Sequence, residues 1–557
     1  MTEVFFQGLT SYFYFGFFLL FPGYCLRLIL SLWLGVGVLS GRGWANSLVE
    51  SFILSILITS AVGILFSLFG LGLNTVKFCL VGLIVVGILI YALMGRGKSN
   101  RNEREISVRA DVIDVVFAVF ITVVFMGMVF QGGLLDFLAD GWWHLAYVSQ
   151  IISDNSLFIA KHPTVGGETA SVIYPPLWHL QLALISEASS ISPAILWHFV
   201  APINVVFLLL AFYQLTVELT RSKKIALLAV VLHIFLIGGL LSYFRVSSWP
   251  GNVSYIALYF GLGLVFRLSS MPRNVNDRVE SERSCLREKS YCYFLLATST
   301  FLMVGLHGVE AALFLLALFS FWICTGLFYP PGQIPLQIVA NLKHIRLFIG
   351  LMSLAGFILA LTIFKSRYLF LVNSPPAYEP YLSLILPVGI LIYVASYQWI
   401  MRFFFKSEQK QTLRNIYFIF LGLMLIGVVD WQHAVELFFP ISDPIGRHVP
   451  RDFQGMWGNW LFLPFWEHQL RGGMLFSGVL GMLIGFVLVF VTKNRATLFI
   501  FSTSSLVFLV LFSPYFFTLT AFVIPLASVY RASLLMFTPL VLAVGLSMLL
   551  TKHSVEL

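Results

Sequence analysis

Apolar runs of about eighteen or more residues recur from one end of the sequence to the other, and they decide the fold class. As a helix, each such run is long enough to cross a bilayer core of roughly 30 Å. In lipid the backbone N–H and C=O groups meet no water, so a crossing segment must satisfy them internally, as a helix does. A transmembrane barrel would need short segments of alternating polarity instead. Charged residues make up only 11% of the chain, against about a quarter in soluble domains. The sequence therefore predicts an all-α integral membrane protein.

The hydropathy pattern predicts about fifteen transmembrane helices, one of them near 381–400. The first, near 10–38, carries Arg27 inside it and contains Phe21-Pro22-Gly23, which is expected to kink or break it. Met1-Thr2-Glu3 lacks the basic segment of a cleaved signal peptide, so this run is expected to be retained. Orientation follows from the basic residues: alternating the spans puts 24 of the 34 Lys and Arg on one side, which is read as cytoplasmic. The net charge of +9 is thus explained by short inner loops, and a nucleic-acid partner is not indicated. The same count treats residues 175–190 as non-crossing, since a crossing there would turn every later basic loop outward. They are expected to lie along the outer surface as an interfacial helix. Residues 132–192 then form a large first outer loop with juxtamembrane helices, and 436–472 a second. The segment Arg267–Lys289 reads as a solvated cytoplasmic linker.

The first outer loop carries the densest chemistry. Asp136, Asp140 and His144 follow a span directly, beside Trp142 and Trp143. If 140–150 is helical, Asp140 and His144 share a face. A carboxylate against aromatic surface can serve as a general base; the alternative is an interfacial turn with Trp anchors. Further on stands Tyr174-Pro175-Pro176-Leu177-Trp178-His179. Its Pro-Pro pair fixes an extended entry into a helix.

An acidic residue just after a span, a long loop, and then a Tyr-Pro-Pro-Leu stretch on a juxtamembrane helix resemble the GT-C superfamily of polytopic glycosyltransferases. Asp140 and Tyr174-Pro175-Pro176-Leu177 carry the resemblance, together with Val529-Tyr530-Arg531-Ala532, which opens the outer half of the last span. It implies a GT-C-like fold and an inverting transferase acting on the extracytoplasmic face. The implied donor is a polyprenyl-phosphate-linked sugar, and the acceptor a glycan, lipid or protein. Asp140 is then the expected base, with Asp136 as substitute and His144 beside it. Arg531 is the expected phosphate contact, followed by Arg245; each Arg could equally snorkel to lipid headgroups. The organisation expected is 1–110 as three additional N-terminal helices, 111–270 as the catalytic half, and 271–557 as the remaining helices. Departures are plain: the loop follows the fourth span rather than the first, and Asp140-Gly141 stands where protein O-mannosyltransferases have Asp-Glu. Without a Trp-Trp-Asp-Tyr-Gly motif or a soluble C-terminal domain, an oligosaccharyltransferase assignment is disfavoured.

Other polar residues fall at outer helix ends. His307 and Glu310 interrupt a long apolar stretch, Asp430 and His433 lie at the next outer mouth, and Tyr174 and His179 complete the substrate-binding candidates. No cofactor is identified. His and carboxylates on both outer loops leave room for Mg2+ or Mn2+, but no HExxH-like spacing selects a metal. No phosphate-binding loop is present in the sequence, and Asn252-Val253-Ser254 reads as a chance sequon. The five cysteines show no CxxC pairing. Their low number favours a bacterial inner (plasma) membrane. A multi-span transporter or flippase, an O-antigen polymerase or ligase, and a purely structural membrane subunit are the competing readings. The clustering of ionisable residues at one face, with no repeat, weighs against a carrier.

Overall fold

The computed structural model describes residues 2–34, 43–96, 111–130, 141–158, 175–238, 248–271, 279–328, 336–363, 411–419, 475–492, 495–512 and 537–551. Within them every regular element is helical. The elements are α1 (Thr2–Leu19), α2 (Phe21–Leu34), α3 (Gly43–Leu68), α4 (Leu73–Arg96), α5 (Val112–Phe130), α6 (Gly141–Asp154), α7 (Leu177–Ser189) and α8 (Pro193–Thr220). There follow α9 (Lys223–His233), running into a π-helical turn Ile234–Gly238, then α10 (Pro250–Ser270), α11 (Val279–Leu306), α12 (Gly308–Phe328) and α13 (Leu336–Ile363). Residues 411–419 are helical. The chain closes with α14 (Leu475–Thr492), α15 (Arg495–Phe512) and α16 (Thr538–Thr551).

Among the described residues, seven helical stretches are long and apolar enough to cross a membrane: Phe6–Leu30, Gly43–Leu68, Leu73–Ile90, Val112–Phe130, Pro193–Thr220, Pro250–Ser270 and Gly308–Phe328. The helical membrane character expected from hydropathy is borne out. The total of about fifteen is not reached among the described residues, and the expected span at 381–400 lies outside them. The break expected at Phe21-Pro22-Gly23 falls between α1 and α2, where Pro22 has no N–H to give.

The chain forms two compact units. The first contains residues 1–218, 243–311 and 340–366, so it holds α1 to α7, most of α8, α10, α11 and most of α13. In it α2 packs on α3 and α4, and α10 pairs with α11. The second contains 219–242, 312–339 and 367–557. There α16 packs on α9 and α14, and α14 on α15. Phe321 meets Phe499, Phe328 meets Phe501, and the Ser320 hydroxyl donates to the Ser502 carbonyl at 2.8 Å.

Two sequence expectations are corrected. The stretch 175–190 does form a short helix, α7, whose 13 residues span only about 20 Å. It does not lie on a surface, however: every residue from Leu177 to Ser186 is buried. The helices α1, α3 and α6 pack around it. Gly63 of α3 has no side chain to hold Leu180 away, and a Cβ there would sit 2.3 Å from the Leu180 Cδ2. The buried amide of Gln181 donates to Ser60 at 3.3 Å. The second correction concerns Arg267–Lys289, which is not a linker throughout. α11 starts at Val279, because its Glu, Arg, Lys and Leu residues are good helix formers. Arg267 then pairs with Glu288 of α11 at 2.6 Å and with Glu218 of α8 at 3.5 Å.

Candidate functional site

The site lies in the first unit, around the entry to α10. Trp249 caps that helix with Pro250 in its first turn, a position where the missing N–H of proline costs nothing. Trp178 of α7 donates its indole N–H to the Ser248 carbonyl at 2.8 Å, and the Ser248 hydroxyl donates to the Trp197 carbonyl at 2.5 Å. These bonds tie α7, α8 and the start of α10 together, which fixes the faces on which the histidines stand.

His144 of α6 and His179 of α7 are both buried, with Nδ1 of His144 3.0 Å from Nε2 of His179. One ring nitrogen donates and the other accepts, so at most one tautomeric proton lies between them. Aromatic rings enclose the pair. Trp197 stacks on His144 at 5.6 Å between centroids, Trp249 lies 6.1 Å from it, and Tyr147 is 5.2 Å from His179. Burial pushes the His179 pKa down to about 3, since an apolar enclosure disfavours the imidazolium. Beside this pair, Trp142 and Trp143 at the start of α6 are exposed.

The His179 shift has a consequence for stability. Its ordinary value is about 6.5, so between that and its folded value of about 3 the unfolded chain binds more protons than the folded one. Stability therefore falls as pH drops through this window and is recovered as pH rises above it. Thermal unfolding of the purified protein between pH 7 and pH 4 is expected to show a falling midpoint. His179→Asn is expected to flatten the slope. An equal slope in that variant would assign the titration to other groups.

A second pair stands at the turn between α11 and α12. The Nδ1–H of His307 donates to Oε2 of Glu310 at 2.6 Å, and both residues are buried. The Ser254 hydroxyl of α10 reaches the carbonyls of Met303 and His307, each at 3.4 Å. Leu177, two residues before His179, lies against Gly305, where a Cβ would come within 2.6 Å of its Cδ1. Both pairs are thus anchored by contacts to the first turns of α10 and α7. A hydrogen bond from one ring nitrogen to a carboxylate sets the tautomer and the orientation of the imidazole.

Of the residues singled out in the sequence, His144, His179, His307 and Glu310 are therefore brought into this one unit. Asp136, Asp140, Tyr174, Arg245, Asp430, His433 and Arg531 lie outside the described residues. Tyr147, Trp197, Ser248 and Trp249 were not selected as site residues from sequence. The available signal was their position beside the selected histidines and at helix ends. Asn252 and Ser254 are buried in α10. Among the described residues no three His, Cys, Asp or Glu side chains gather in a metal-binding group.

Fold and site together define a helical membrane protein with a buried, histidine-rich polar cluster. Its fold is similar to that of the Archaeoglobus fulgidus oligosaccharyltransferase. The structure of that enzyme tethered to an acceptor peptide containing the NVT sequon matches with a TM-score of 0.50 at 15% identity, covering 79% of this chain and 51% of that one. Its apo form matches with a TM-score of 0.47 at 13% identity, over 79% of this chain and 52% of that one. The archaeal oligosaccharyltransferase AglB from Archaeoglobus fulgidus, in complex with an inhibitory peptide and a dolichol-phosphate, gives a TM-score of 0.47 at 13% identity, over 79% of this chain and 51% of that one. The chain thus spans about half the length of these structures. The GT-C-like fold expected from the sequence is supported at this level. The chain belongs to the family of unknown function DUF6541, matched over residues 29–434. Comparison with curated proteins gives no match.

Proposed function

We propose that the protein is a membrane glycosyltransferase that moves a sugar from a polyprenyl-phosphate donor to a glycan, lipid or protein acceptor on the extracytoplasmic face. The reading rests on one observation above the others. The polar residues His144 and His179 of the first outer loop are gathered with His307 and Glu310 in one helical unit, within a fold similar to an oligosaccharyltransferase. On this reading 111–270 is the catalytic half.

The acceptor hydroxyl attacks the anomeric carbon as the bond to the lipid phosphate breaks, with inversion. Asp140, the residue before α6, takes the hydroxyl proton. The polyprenyl phosphate leaves with its negative charge met by Arg531, whose guanidinium can bind two phosphate oxygens at once. The His144–His179 pair holds α6, and so the end of the loop segment that carries Asp140. Trp142 and Trp143 offer flat faces to a sugar ring.

The protein in lipid is given a radiolabelled polyprenyl-phosphate sugar and a membrane extract as acceptor. Asp140→Asn is expected to lower transfer by about 10²- to 10⁴-fold, the usual range for a lost general base. Unchanged transfer in both Asp140→Asn and Asp136→Asn would refute the assignment of the base. No turnover with any polyprenyl donor, accompanied by substrate-dependent transport, would refute the enzyme.

A further inference from the structure

One residue of the first unit closes two helix ends. α6 finishes in a Schellman motif, with the Ser156 N–H returning to the Ile151 carbonyl and the Asn155 N–H to that of Ile152, each at 3.3 Å. Asn155 is left-handed there, at φ 52°, a conformation asparagine tolerates. Its side chain serves a different helix. Oδ1 of Asn155 accepts the Leu73 N–H at 2.7 Å, a first-turn donor of α4 with no acceptor inside its own helix. Gly72 leaves room for this approach, since a Cβ there would run into the Asn155 amide. Next to it, the Leu157 N–H donates to the Ser67 hydroxyl, near the end of α3, at 3.3 Å.

The same two helices hold α7. His179 and Gln181 stand about 200° apart around the helix axis, so His179 turns to His144 of α6 while Gln181 turns to Ser60 of α3. At the far end of α7, Glu187 meets Lys77 of α4 at 3.0 Å, with only 25% and 19% of the two side chains exposed. Sheltered in this way, the pair is screened less than one on an open surface. α6 and α7 carry the two histidines, and each is tied to α3 and α4 at points away from them. α3 and α4 belong to the segment 1–110, to which the GT-C resemblance assigns no task.

We infer that α3 and α4 are a frame that sets the spacing of α6 and α7, with Asn155, Lys77 and Glu187 as its positioning residues. α6 has 14 residues and is a stiff rod of about 20 Å. A shift at Asn155 is therefore carried to His144 and to Asp140, which precedes its first turn. The effect on turnover rests on the proposed glycosyl transfer; the effect on the histidines does not.

Two measurements on the full chain in lipid test the frame. Diethyl pyrocarbonate acylates exposed imidazoles, and mass spectrometry maps the product. The wild type is expected to protect His144, His179 and His307. Asn155→Gly keeps the left-handed backbone but removes the amide, and Lys77→Glu sets two acids against each other. Both are expected to open His144 and His179 to the reagent and leave His307 protected. Asn155→Asp retains the acceptor, and the exchange Lys77→Glu, Glu187→Lys retains the ion pair, so these should restore protection. In the transfer assay Asn155→Gly is expected to lower kcat by about 10²-fold, the scale of a small misplacement remote from the chemistry, with the KM for the donor unchanged. Asn155→Asp should return kcat towards the wild type. Continued protection of both histidines in Asn155→Gly and Lys77→Glu would overturn the frame, and so would an equal loss in Asn155→Gly and Asn155→Asp. Exposure of the pair in a chain that transfers no sugar would uphold the frame and count against the glycosyltransferase reading alone. Where His307 is modified as well, the variant has unfolded. Glu187→Gln, which keeps the volume and removes the charge, then supplies the reading, with exposure of His179 expected and its protection contrary.

Discussion

Replacing Gly23 by alanine is expected to prevent α2 from docking on α3. A Cβ at this position would lie 1.9 Å from the carbonyl oxygen of Ser51 and 2.5 Å from the backbone nitrogen of Ser55. Both are backbone atoms inside α3, so no rotamer change relieves the overlap, and the helices must move apart. Separation also breaks the bond from the Gly23 N–H to the Ser55 hydroxyl, which is 2.7 Å long and buried. That N–H lies in the first turn of α2, right after Pro22, and has no acceptor within the helix itself. Overpacking of a tight contact costs about 1–3 kcal/mol, and a buried donor left unsatisfied about 1–3 kcal/mol more. A loss on this scale is a large part of the roughly 5–15 kcal/mol that holds a typical domain together. Gly23→Ala should therefore be recovered mainly as aggregate. Gly82→Ala, on α4 with nothing within 4 Å of its new Cβ, should behave as the wild type in size-exclusion chromatography. A monodisperse Gly23→Ala protein with an unshifted melting midpoint would contradict the close packing of α2 on α3.

The crossing helices were legible because lipid makes a single demand, apolar length, and α3, α5, α8 and α12 meet it over 26, 19, 28 and 21 residues. The break at Pro22 was legible for an equally local reason. The position of α7 was not. Counting charges decides which side a segment is on, but says nothing of its depth. The clue lay in Gln181 and His179, polar side chains in a helix too short to cross. Each is now seen to bond to protein, to Ser60 and to His144. The candidate site was legible only as a list of residue types near one face. His144 and His179 are 35 positions apart, and Trp178 and Ser248 are 70 apart. Such pairings depend on how the helices pack, which no local spacing encodes. Asp140 and Arg531 rest on the superfamily resemblance alone.

The second large effect is expected at Glu50. Its side chain is fully buried, yet it carries a carboxylate. It is held by Nε of Arg27 at 2.7 Å, by the amide of Asn46 at 2.7 Å and by the hydroxyl of Tyr291 at 3.2 Å. The group thereby joins α2, α3 and α11 through one acid. The sequence marked Arg27 as a lone charge inside the first span, and Glu50 is the partner that makes it tolerable there. Removing one member strands the other. Glu50→Leu leaves a guanidinium with 2% exposure, and breaking a buried pair in this way costs about 3–5 kcal/mol. Arg27→Met strands the carboxylate and should cost a similar amount. The combined Arg27→Met, Glu50→Leu variant buries no net charge, and the apolar replacements fill much of the same volume. It should recover most of the loss, short of about 1–3 kcal/mol for Asn46 and Tyr291, which lose their acceptor. Melting midpoints of the four proteins in detergent give the coupling directly. Strictly additive losses in the double variant would mean that Arg27 and Glu50 hold their helices independently. Recovery would show that the charge itself is dispensable to the fold. The reason for keeping it would then lie in fixing one register among otherwise interchangeable apolar helices, the role a buried polar group fills where hydrophobic packing alone does not discriminate.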